Sequence, residues 1–172
     1  MGAIKIQLCF YSFFLYFYKK GMFRILLVGA IIITINVILQ ALGNVLLVRK
    51  TNHHFLRENA SLSNVAIAKL LTFSFLMITL LHISQTFVWA ICYYIHPTTS
   101  VDFQSFSEAL YFSLVTFTTL GYGDITMNSP WRLLSGIEAI NGIMLIGWST
   151  AMMYSLIQKI NMAIAPTINK TK

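Results

Sequence analysis

Charge is scarce in this chain. Only 10% of its 172 residues are Asp, Glu, Lys or Arg, and just five of them are acidic. With 57% hydrophobic residues, that composition excludes an ordinary soluble domain, where about 25% of residues are charged. Cysteine is nearly missing too. Cys9 and Cys92 have neither metal-ligand spacing nor enough partners for a disulfide framework, and they read as small apolar residues. No internal repeat, low-complexity tract or soluble domain stands out. The net charge of +7 would raise a nucleic-acid question in a soluble protein. Here the basic residues flank apolar runs and build no basic domain, so nucleic acid is not an expected partner.

What the chain does have is long apolar sequence. Residues 1–21 form an aromatic-rich opening whose apolar part, 4–18, falls short of the ~20 residues a span needs. It is expected to lie at the interface or to extend the next helix. Residues 22–48 are long enough for a first, tilted transmembrane helix. Asn36, Gln40 and Asn44 recur every four residues there, with Gly29 and Gly43 close by. Small and amide residues on one helical face mark a helix–helix contact in lipid.

Residues 49–64 are a polar connector. Its adjacent His53 and His54 lack the carboxylate or cysteine partners of a metal site, so contact with anionic lipid headgroups is the better expectation. Residues 65–95 form a second span, with His82 and Gln85 inside it and Trp89, Tyr93 and Tyr94 toward its end, where an interfacial aromatic belt is expected. Residues 131–158 form a third, punctuated by Gly136, Gly142 and Gly147, and a short tail, 159–172, follows.

The stretch between the second and third spans is different in kind. Ser105-Phe106-Ser107-Glu108 is a capping box, with Ser105 as N-cap and Glu108 reaching back. The helix it opens runs to about Phe117, roughly 18 Å at 1.5 Å per residue. That cannot cross a bilayer, so it enters and stops midway. Thr118-Thr119-Leu120-Gly121-Tyr122-Gly123-Asp124 follows. Its two glycines permit φ > 0, which allows successive carbonyls to face one way. Non-helical backbone at membrane depth must be buried in protein or line a water-filled path.

Thr119-Leu120-Gly121-Tyr122-Gly123-Asp124 resembles the selectivity filter of potassium channels. A Gly-Tyr-Gly triplet alone occurs by chance in many proteins. Joined to a capped short helix and flanking spans, it is far more specific, and the resemblance covers residues 65–158. It implies an all-α membrane protein whose pore domain has an outer helix (65–95), a pore helix (105–117), a filter (118–124) and an inner helix (131–158). With one pore loop per chain, it implies a homotetramer.

The carbonyls of Thr119, Leu120, Gly121 and Tyr122, and the Thr119 hydroxyl, would replace the hydration shell of K+, the permeant ion. Gly123 completes the filter, Thr118 and Tyr111 support it, and Asp124 places an acidic ring at the outer mouth, with Asp102 a second candidate. Leu120 stands where Val is common, and only its carbonyl would face the ion. Many family members carry a carboxylate four residues before the first filter threonine. Val115 occupies that position here, and the Tyr111 hydroxyl is offered instead toward Asp124 or a neighbouring filter. On the inner helix, Gly142 matches the hinge position, and Ile146 and Thr150 are expected to line the cavity.

Family topology puts residues 96–130 outside and makes the 49–64 connector and the tail cytoplasmic. Arg49, Lys50, Arg57, Lys69, Lys159, Lys170 and Lys172 then lie inside, against Lys5, Lys19, Lys20, Arg24 and Arg132 outside. The bias has the expected sign. The location implied is a multi-pass protein of the plasma membrane, with membrane lipid as its other partner.

Glu138 is the residue hardest to place, since a carboxylate inside a span demands a partner or a function. His82 and Asn141 lie at comparable depth by residue count. Two readings stand: a His82–Glu138 contact behind the pore helix, or hydroxyl and backbone hydrogen bonds alone. No span has Arg at every third position, which excludes a voltage-sensor helix, and the fourteen-residue tail is too short for a ligand-binding domain. A potassium-selective channel is the leading expectation. A less selective cation channel and a non-conducting regulatory subunit are the alternatives. The His and acidic residues show no ligand or acid–base spacing, so no enzyme activity, small-molecule substrate or organic cofactor is expected.

Overall fold

The computed structural model describes residues 21–57 and 63–168. Among them the chain is all-helical: α1 (Met22–Arg57), α2 (Asn64–Ile95), α3 (Phe106–Phe117) and α4 (Leu133–Ile168), with 3-10 turns at Ser100–Asp102 and Pro130–Arg132. Met22–Thr51, Asn64–Ile95 and Pro130–Ala163 are long and apolar enough to cross a membrane. Thirty helical residues extend about 45 Å against a hydrocarbon core of about 30 Å. α1 therefore tilts or projects, and its helix continues through the first part of the polar 49–64 stretch. The 4–18 segment with Cys9, residues Lys5, Lys19 and Lys20, the side chains of His53 and His54, and Lys170 and Lys172 lie outside the described residues.

α2 and α4 sandwich the short α3, and α1 lies against both long helices. The core sits where α3 meets them, built on Trp89, Tyr93, Phe103, Phe112, Phe117 and Leu134. Trp89 and Tyr93 are fully buried, so they are not belt residues at a membrane surface; of the three aromatics expected there, only Tyr94 is exposed. α3 accounts for the difference. It covers this face of α2, and Tyr93 meets Phe112 edge-on at 5.4 Å and Phe103 at 6.0 Å. Rings so arranged add to what their buried area contributes.

α1 is held by amides as well as by Ile25 and Ile32, which join the core. Asn36 Nδ2 donates to Asn141 Oδ1 (3.1 Å), which also accepts from Trp89 Nε1 (3.2 Å). Gln40 Nε2 donates to Ser149 Oγ (2.8 Å), while Gln85 Nε2 donates to Gln40 Oε1 (2.9 Å). Each bond joins two different spans, and together they tie α1, α2 and α4. Lipid offers no hydrophobic drive for helices to associate, so such bonds and close packing carry the contact. The glycines serve packing: a Cβ on Gly29 would touch Ile137, and one on Gly43 would meet Leu81 Cδ2 at 2.6 Å.

The outer loops are pinned by short polar side chains. Thr99 Oγ1 donates to the Tyr93 carbonyl (2.7 Å), closing the end of α2. Asp102 accepts from the backbone N–H groups of Asn128 (3.3 Å) and Ser129 (3.4 Å). Asp102 thus ties the loop after α2 to the loop before α4.

Gln40→Leu should remove the central amide and leave Gln85 and Ser149 short of a partner. A loss of about 1 kcal/mol in reversible unfolding in mixed micelles is expected; an unchanged midpoint would show that the amide chain contributes nothing.

Candidate functional site

The loop begins with how α3 is made to stop. Ser105 caps its start, accepting from the Glu108 N–H at 3.2 Å. The Glu108 carboxylate reaches back to accept from the Gln104 N–H at 2.6 Å, one residue beyond the Ser105 N–H of a reciprocal capping box. At the other end the backbone tightens. Thr119 N–H bonds Thr116 O (2.9 Å), and the N–H groups of Leu120 (2.9 Å) and Gly121 (3.2 Å) both return to Val115 O. The first loop amides therefore fold back onto α3, and position 115 acts through its carbonyl.

Past that point the backbone alternates. Thr119, Gly121 and Gly123 have φ of 58°, 55° and 78°, and of the other described residues only Gly21 has positive φ. In an extended strand successive carbonyls alternate sides, whereas alternating left- and right-handed residues bring them to one side. Among the described residues, no donor reaches the carbonyls of Thr119, Leu120, Gly121, Tyr122 or Gly123. A Cβ on Gly121 or Gly123 would meet nothing within 4 Å, so within one chain their need for glycine lies in φ, not in space. Thr119 is the residue sequence reasoning missed. A β-branched side chain in the left-handed region is a genuine outlier, costing about 1–2 kcal/mol. Only the period-two spacing from the glycines hinted at it.

Leu120 and Tyr122 stand 56% and 66% exposed in the single chain. Behind the loop lies a hollow of about 1070 Å³, walled by Tyr111, Val115, Gly121, Asp124 and Leu133 among others. Tyr111 Oη donates to Asp124 Oδ2 at 2.7 Å, which is the within-chain choice of its two expected partners. That hydrogen bond holds the Asp124 carboxyl below its usual value and pushes the Tyr111 hydroxyl up. With the Asp124 value lowered, its charge persists at neutral pH and is lost only as pH falls through the depressed value. Thr118 Oγ1 donates to Leu114 O at 2.7 Å, so this hydroxyl secures the end of α3.

Gly142 sits where α4 crosses the end of α3. A Cβ there would drive into the carbonyl of Phe117, with the Phe117 Cα 3.1 Å away. The position demands glycine for close backbone approach, a role distinct from the bending that its place on the inner helix suggests. Ile146 and Thr150 follow at helical spacing on the open side of α4 and are exposed; the Thr150 hydroxyl donates to Ile146 O at 2.9 Å.

Of the two readings of Glu138, the one with hydroxyl hydrogen bonds holds and the His82–Glu138 contact does not form. His82 Nδ1 lies 2.9 Å from Gln85 Oε1, and its ring packs against Phe117. Glu138, fully buried, accepts instead from Tyr93 Oη at 2.7 Å and pairs with Ser113 Oγ. Rise per residue explains the miss. His82 is thirteen residues from the end of α2 and Glu138 five from the start of α4, about 20 Å and 8 Å in. Asn141, the third polar residue expected at this depth, belongs to the amide chain.

Hydrogens can be counted at Glu138. Ser113 Oγ is in bonding range of Thr86 O (2.9 Å) as well as of the carboxyl, and a hydroxyl has one hydrogen to give. Three contacts among Tyr93, Glu138, Ser113 and Thr86 need three hydrogens; the hydroxyls supply two. A carboxyl carrying its proton would supply the third, donating to Ser113 while Ser113 donates to Thr86 O. The cluster pins the middle of α3 to α2 and α4, one turn before the loop.

The described residues thus combine three helices long and apolar enough to cross a membrane with a short helix and a non-helical loop between the second and third. Residues 76–159 match a family model described as "Ion channel", from within α2 through α3 and the loop into α4. The match covers just under half of the chain and supports an ion-channel function for this segment. No curated protein matches the chain.

If Glu138 acts as a neutral hydrogen-bond bridge, Glu138→Gln keeps a donor and an acceptor and should cost less than about 1 kcal/mol. Glu138→Leu strands Tyr93 and Ser113 in the core and should cost about 2–3 kcal/mol. Thermal unfolding of the two variants checks this, and equal losses would contradict the bridge.

Proposed function

We propose that four copies of the chain form a potassium-selective channel, with Thr119–Gly123 as its filter. The observation that carries the reading is the run of carbonyls that accept no hydrogen bond among the described residues, on a backbone whose φ is positive at Thr119, Gly121 and Gly123. Orphaned carbonyls are costly away from water, and a dehydrated cation is the partner that relieves them. Four chains around one axis stack these oxygens into rings, with the Thr119 hydroxyl as the innermost. K+ is the cargo here, bound at Thr119, Leu120, Gly121 and Tyr122 in transit.

Oligomerisation also accounts for what one chain leaves open. The exposed Leu120 and Tyr122 side chains need cover, and the hollow between α3 and the start of α4 is of a size to receive a neighbour's loop. Asp124, held ionised by Tyr111, sets an acidic ring at the entrance that concentrates cations. Ile146 and Thr150 line the cavity beneath. Residues 96–130 face outward across the plasma membrane, and the 49–64 connector and the tail lie inside, in line with the modest excess of Lys and Arg on that side.

Reversal potentials of the purified protein in planar bilayers under opposed potassium and sodium gradients test the proposal. The reversal should sit near the potassium equilibrium potential, and Gly123→Ala, which forces a side chain into the left-handed region, should abolish the current. Equal permeability would leave a non-selective pore; absence of current from folded protein would leave a non-conducting subunit. Either result contradicts the proposal.

A further inference from the structure

The amide ladder of α1 ends in an unanswered residue. Asn36, through its Nδ2, and Gln40 find partners, but Asn44, one turn further, is buried with neither its Nδ2 nor its Oδ1 hydrogen-bonded. Such a group carries the full cost of its lost water. Asn44 lies in the wall of a groove of about 750 Å³ between α1 and α2. The groove's other walls are graded. Leu80, Leu81 and Met77 line its deep part, and Arg49 and Lys50 stand at the end nearest the 57–64 connection. Both basic residues are exposed, and the Lys50 ammonium rests 3.9 Å from the Phe73 ring centre, at the mouth. The described carboxylates, Asp102, Glu108, Asp124 and Glu138, all belong to the opposite half of the spans or the loops there.

From this grading we infer that the groove holds an anionic glycerophospholipid of the leaflet on the connector side. Its phosphate faces Arg49 and Lys50, where each basic side chain adds to the attraction of an anionic headgroup. About 8 Å deeper, five residues along α1, the Asn44 amide is placed to turn toward the ester region and donate to a carbonyl, ending its isolation. The acyl chains run over Leu80, Leu81 and Met77 toward Ser84. Because Gly43 gives Leu81 room, the lipid also seals the seam by which α1 is held on α2. A neutral lipid would fit the apolar depth but leave the basic mouth unmatched, and that difference decides the test.

The inference is independent of ion conduction, and so is its readout. Full-length protein, delipidated in detergent and offered phosphatidylglycerol or phosphatidylcholine, is weighed intact by native mass spectrometry. The protein should retain phosphatidylglycerol in preference to phosphatidylcholine. Arg49→Gln combined with Lys50→Gln, at exposed positions that should not disturb folding, should lower phosphatidylglycerol retention about tenfold or more. Ser84→Phe, which fills the deep end, should lower it with both charges in place. Equal retention of the two lipids, or phosphatidylglycerol retention unchanged in the charge variant, overturns the inference.

Discussion

A peptide carbonyl inside a membrane must be answered by a donor or a cation, and most of this structure follows from leaving several unanswered in a row. The helices satisfy their own backbones; the carbonyls of residues 119–123 meet no donor among the described residues. Keeping such a run from collapsing onto a nearby N–H takes a backbone that cannot easily rotate and neighbours that do not yield. Left-handed residues at every second position provide the first. α3, pinned behind the loop, provides the second.

α3 is pinned by contacts that are polar or close, and every one involves another helix or loop. Ser113 reaches Glu138 and Thr86, Tyr111 reaches Asp124, and the Phe117 carbonyl lies against Gly142. Apolar side chains fill the space, but lipid tails are as apolar as they are, so they discriminate little between positions. Hydrogen bonds at low dielectric, where the unmade bond is expensive, give α3 one register. α1 extends the principle outward. It is joined through Asn36 to Asn141 and through Gln40 to Ser149, one bond on each side of Gly142 along α4, so any bend of α4 at that glycine strains one of them.

Much of this architecture was legible in the sequence because it rests on length and period. Run lengths marked the spans, the Ser105–Glu108 spacing marked the start of α3, and the fourfold recurrence of Asn36, Gln40 and Asn44 marked the buried face of α1. The misses share a cause: each turned on which residues meet across helices. Trp89 and Tyr93 looked interfacial because sequence places them near a helix end, yet α3 covers that end. For Glu138 a His82 contact stood level with hydroxyl hydrogen bonds because residue counts do not convey depth until both helix ends are known, and the hydroxyls of Tyr93 and Ser113 are its partners. Gly142 was placed by resemblance at a hinge position, and the close approach of the Phe117 backbone adds a packing demand that residue counts do not announce. The left-handed Thr119 was hinted at only by its spacing from the two glycines, since nothing in threonine itself announces it.

The central claim is that the free carbonyls of Thr119, Leu120, Gly121 and Tyr122 point to one axis and hold dehydrated monovalent cations there. Anomalous diffraction from crystals grown with thallium in place of potassium tests it directly. The account predicts a row of peaks on a fourfold axis, each caged by carbonyl oxygens of these residues, and no peak of that kind elsewhere. An empty axis, or carbonyls turned away from it with thallium present, would contradict it.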